Sequence, residues 1–86
     1  MGFRNPLQIQ NRDAETLTVI VEPWANEYDL TMGEGCVIVA INPSVMPTFG
    51  VEPHDGNLIV WVNESGSTFE LWRAGDRVDI MTIPIP

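Results

Sequence analysis

The chain has 86 residues, with 12 Asp plus Glu, four Arg, no Lys, one His and one Cys, and a formal net charge of −8. That length makes a single domain over 1–86 with a modest core. One Cys forbids an internal disulfide, one Cys with one His cannot build a zinc site, and so acidic a chain cannot track phosphates, which excludes nucleic acid as the main partner.

Val, Ile and Thr supply 23 residues, and the seven Gly and seven Pro are spread along the whole length. β-Branched side chains lose freedom in a helix and suit a pleated surface, so the elements are expected to be strands. Leu7–Gln10 alternates apolar and polar residues. Thr16–Glu22 alternates with Leu17, Val19 and Val21 on one face, and Pro23 stops it. Tyr28–Leu30 alternates again before the glycine-rich turn Gly33-Glu34-Gly35. Cys36–Ile41 is apolar throughout, the pattern of a strand buried on both faces. The stretch 42–57 is the one long connection, with a short edge strand near Thr48–Glu52.

The C-terminal third reads as three strands. A turn at Ser65-Gly66 would set Val62 opposite Phe69 and Val60 opposite Leu71. A turn at Ala74-Gly75 would set Leu71 opposite Val78 and Phe69 opposite Ile80. Both turns place Val60, Val62, Phe69, Leu71, Val78 and Ile80 on one core face, so a one-residue slip is disfavoured. We therefore expect an all-β fold: a small antiparallel sandwich or partly open barrel of about six or seven short strands, closed by a C-terminal three-stranded meander.

Leu17-Thr18-Val19-Ile20-Val21-Glu22-Pro23-Trp24, Tyr28-Asp29-Leu30 and Gly33-Glu34 together resemble bacterial immunoglobulin-like sandwich modules. The chain lacks the cysteine pair of true immunoglobulin domains. The segment is also similar to small bacterial proteins with a Val-Glu-Pro-Trp motif. The resemblance implies a sandwich fold and no particular activity.

Catalytic residue types meet only in Glu52-Pro53-His54-Asp55, which reads more simply as a solvated loop ending in an Asp-Gly turn. Cys36 opens an apolar run, the usual place of an inert buried thiol. No Gly-x-Ser-x-Gly elbow, paired acid and base, or calcium loop occurs. The chain is accordingly expected to be no enzyme and to need no cofactor or metal. No apolar run approaches the ~20 residues of a membrane span and residues 1–6 carry no apolar leader, so a cytoplasmic protein without membrane contact is expected.

The outer face of the expected meander is the best candidate site. Ile59, Trp61, Trp72, Arg77 and Met81 would share it, with Trp72 across from Arg77 and Trp61 diagonal to Trp72. Trp and Arg are the residue types enriched at binding hot spots. The leading expectation is a protein-interaction or assembly module, most simply a homodimer built on that face. A small-ligand or carbohydrate binder using Trp61 and Trp72 is the second reading, and an acidic inhibitor of a basic protein the third.

Overall fold

The computed structural model describes residues 2–86. It contains eight strands: β1 Phe3–Gln10, β2 Thr16–Glu22, β3 Asn26–Thr31, β4 Gly35–Asn42, β5 Phe49–His54, β6 Asn57–Val62, β7 Thr68–Arg73 and β8 Asp76–Met81. They form two four-stranded sheets. Sheet I has the order β1-β4-β7-β8 and sheet II the order β3-β2-β6-β5. Every pairing is antiparallel except β2 with β6.

The expected all-β sandwich is present, with eight strands in place of six or seven. Its core lies between the sheets. Sheet I contributes Ile9, Cys36, Ile38, Ala40, Phe69 and Leu71, and sheet II contributes Val19, Val21, Leu30, Val60 and Val62. Each of these points inward because successive side chains of a strand alternate between its faces. The apolar run Cys36–Ile41 of β4 lies in the interior of sheet I, flanked by β1 and β7, with outward Val37 and Ile41 half-buried.

The expected meander does not form. β6 belongs to sheet II and β7 to sheet I, so Ser65-Gly66 is no hairpin turn but the passage from one sheet to the other. Val60 and Val62 still face Phe69 and Leu71, but across the core. Alternation reports which side chains are buried and not which strand lies alongside. The passage is held from outside: the buried Asn42 side chain donates to the Ser65 carbonyl and the Ser67 hydroxyl, both at 2.9 Å. The Gly66 amide donates to the Ile85 carbonyl at 2.7 Å.

The β7–β8 hairpin does form at Ala74-Gly75. Both residues have positive φ, 50° and 84°, which matches the twist of the flanking strands. Trp72 pairs with Arg77 as expected. A bulge then shifts the register, so that Leu71 pairs with Asp79 and Phe69 with Met81. The extra residue swaps the faces of the remainder of β8. Val78 and Ile80, expected in the core, are 53% and 48% exposed. Met81, expected outside, packs against the core.

The segment after β8 runs back over the sandwich. The Trp24 indole nitrogen donates to the Ile83 carbonyl at 2.7 Å. The same indole lies 4.9 Å from the Phe69 ring, centroid to centroid. Tyr28 meets Phe69 edge-on, and its hydroxyl donates to the Asp79 carboxylate, tying β3 to β8.

Candidate functional site: two outer faces of unlike charge

The five candidate residues separate into three places. Ile59 and Trp61 lie on the outer face of sheet II, Trp72 and Arg77 lie on the outer face of sheet I, and Met81 is on the core side. Trp61 and Trp72 therefore sit on opposite sides of the molecule and cannot build one platform.

On sheet II, inward Val19, Val21, Val60 and Val62 leave Ile20, Ile59 and Trp61 pointing out. The parallel register sets Ile20 beside Ile59 and Glu22 beside Trp61. Glu27 flanks Ile20 from β3, and Glu52 flanks Ile59 from β5. The Trp61 indole nitrogen donates to Glu52 at 3.3 Å, and the residue is 40% exposed. Thr18 donates to Asp29 at 2.7 Å further along the same face. An apolar strip with an exposed tryptophan thus runs between carboxylates.

The two sheets differ in charge. The strands of sheet II carry Glu22, Glu27, Asp29 and Glu52 and no arginine. In the strands of sheet I, Arg4, Arg73 and Arg77 balance Glu70, Asp76 and Asp79. The sequence reading missed this polarity, and it missed Ile20. Its signal was an isoleucine on the nominally polar side of an alternating strand.

The outer face of sheet I is organised by Glu70. Its side chain points away from the core yet is only 9% exposed. Arg4 donates to it at 2.7 Å, Arg77 at 3.3 Å and the Trp72 indole at 3.1 Å. Arg77 thus turns to a carboxylate beside Trp72, its cross-strand neighbour. The hydrogen bond from Arg4 is the main reason that the Glu70 carboxyl titrates below the usual range. Partial burial opposes it, and Trp72 and Arg77 add to it.

A depressed folded pKa contributes stability above the ordinary glutamate value near ~4.3, and that contribution disappears as pH falls through the folded value. Glu34 and Glu64 behave alike, each held low chiefly by a threonine hydroxyl, Thr31 and Thr48 respectively. Thermal stability should therefore drop as pH falls below the ordinary glutamate value. Glu70→Gln should flatten that limb. A variant whose midpoint falls with acid as steeply as that of the wild type would show that Glu70 takes no part.

Beside this cluster runs a groove of ≈ 690 Å³. Val37 and Val39 of β4 form its floor, Arg4 and Gln8 one wall and Trp72 the other, and Arg73 closes one end. Among the described residues, no carboxylate lies within ion-pair distance of Arg73. The chemistry suggested by other residues does not assemble. Cys36 is buried on β4, and burial pushes its thiol up despite the charge of Arg73. His54 is exposed at the end of β5, in sheet II, and its only ionic neighbour among the described residues is the adjacent Asp55. No group of three or more His, Cys, Asp or Glu side chains among the described residues could hold a metal ion. Among the described residues, no helix is long and apolar enough to cross a membrane.

No family model, curated protein or solved structure matches this chain. Its function is therefore read from the geometry of the two faces.

Proposed function

We propose that the chain is a non-enzymatic interaction module that engages a basic, partly apolar segment of another protein through the outer face of sheet II. The observation that carries this reading is the half-exposed Trp61 on a strip with Ile20 and Ile59, bordered by Glu22, Glu27 and Glu52 and facing no arginine of its own sheet. A flat apolar strip offers area, a tryptophan offers a rigid anchor, and a single-sign rim steers a partner of opposite sign. Self-pairing on this face would set four carboxylates against four. The homodimer favoured by the sequence therefore gives way to a foreign cationic partner, which joins the interaction reading to the acidic-inhibitor reading.

A synthetic peptide alternating Arg and Leu tests this, with one alternating Glu and Leu as control. The Arg peptide should shift the amide resonances of Ile20, Ile59 and Trp61. Its affinity should fall about tenfold or more as salt rises past physiological strength. Trp61→Ala should weaken binding by about 30-fold, the scale of a hot-spot residue. His54→Ala and Cys36→Val should leave binding unchanged. Silence of these three positions toward the Arg peptide, or equal response to both peptides, would refute the proposal.

A further inference from the structure

A second recognition surface, on the opposite side of the molecule, is built on the groove of sheet I. Its floor is unusual for the outer face of a sheet: Val37 and Val39 stand where solvent-facing positions normally carry polar side chains. Both belong to the same interior strand; Val39 is only 8% exposed, so Val37 offers most of the open apolar surface. Trp72 rises along one side, its ring oriented by the 3.1 Å hydrogen bond from its indole nitrogen to Glu70. The volume of ≈ 690 Å³ suits a small organic molecule rather than a bare ion.

Charge selects the kind of molecule. Glu70 receives donors from Arg4, Arg77 and Trp72, so its one negative charge leaves one arginine charge unbalanced. The Arg4 side chain is 53% exposed and reaches Glu70 through one of its guanidinium nitrogens, so further donors remain for a ligand. Arg73 follows Trp72 on β7 and so belongs to the opposite face of the strand, which leaves Arg4 as the exposed guanidinium of the groove. Glu34, also on the rim, is engaged by the Thr31 amide and hydroxyl at 2.7 Å each. Two of the chain's four arginines, Arg4 and Arg77, thus share this face with a single glutamate, in a molecule of net charge −8.

We propose that this groove binds a small molecule with a flat apolar body and one anionic group. The body lies on Val37 and Val39 against Trp72, and the anion meets the Arg4 guanidinium. A charge-assisted pair with a planar guanidinium gives direction, and the apolar floor gives the contact area. A cation is rejected by the arginines, and a large polyanion by the carboxylates that cover the rest of the surface.

Titration with 2-naphthoate, with neutral 2-naphthamide as the matched control, tests the site. Naphthoate should shift the methyl resonances of Val37 and Val39 and the indole resonance of Trp72, and should bind at least about tenfold more tightly than the amide. Trp72→Ala should weaken naphthoate binding severalfold. Arg4→Gln removes one of the three donors to Glu70 and leaves Arg77 and Trp72 in place, and its binding of the amide reports whether the groove is retained. It should weaken the acid and leave the amide unaffected. Trp61→Ala should leave naphthoate binding unchanged, which keeps this result separate from that of the peptide face. No shift at Val37, Val39 and Trp72, equal affinity for acid and amide, or indifference to Arg4→Gln would each overturn the proposal.

Discussion

Phe69→Ala should destabilise the domain by about 3–5 kcal/mol, the usual cost of emptying a buried aromatic site. Phe69 is fully buried and joins both sheets. Trp24 lies against it at 4.9 Å with the rings tilted by 56°, and Tyr28 meets it edge-on at 6.4 Å. Each such aromatic contact adds roughly 0.5–1.5 kcal/mol beyond buried area. A small domain is stable by only about 5–15 kcal/mol, so the loss takes a large share of the whole. Urea denaturation should show the midpoint falling steeply, and Phe69→Leu, which keeps most of the volume, should fall much less. A midpoint unchanged by Phe69→Ala would mean that the ring does not occupy the centre of the core.

Asn42→Ala should cost about 2–4 kcal/mol, because each buried polar group left without a partner costs about 1–3 kcal/mol. The side chain is 1% exposed and makes four hydrogen bonds. Its amide nitrogen serves Ser65 and Ser67, while its oxygen accepts from the Ser44 and Val45 amides at 2.9 and 3.1 Å. It thereby fastens the end of β4 both to the loop beyond it and to the passage between β6 and β7. Asn42→Asp should be worse still, since it places a buried charge against the Ser65 carbonyl and removes both donors. Hydrogen exchange gives the local signature: the Ser44 and Val45 amides should lose protection in Asn42→Ala. Retained protection and an unchanged melting temperature would contradict this role for Asn42.

Much of the fold is legible locally. Thr16–Glu22 and Thr68–Arg73 are visible with their true limits, because alternation marks them and Pro23 and Gly75 punctuate them. The Ala74-Gly75 hairpin is visible for the same reason. The partner of β6 is not. Ser65-Gly66 resembles a hairpin turn, and only distant groups, Asn42 and Ile85, show that the chain uses it to change sheets. The bulge opposite Leu71 and Trp72 is also hidden, since Val78 and Ile80 fit a core pattern as well as an exposed one. The candidate site divides in the same way. Ile59 and Trp61 are correctly outward, but their neighbours Ile20 and Glu22 arrive by a long-range parallel pairing. The partners of Glu70 and Asn42 are likewise set by tertiary structure, which no local spacing encodes.

That parallel pairing has a kinetic consequence. Sheet II consists of two hairpins, β2–β3 and β5–β6, joined only along β2 and β6. Each hairpin closes a short loop and can form within about 1–10 μs. The seam between them brings together opposite halves of the chain, and such closures place β-rich domains in the millisecond-to-second range. Until the seam zips, Val21 and Val60 stand at open strand edges. Folding speed should hence depend on side chains along that seam far more than on the tips of the hairpins. An unzipped seam is also the point at which two nascent chains could exchange hairpins.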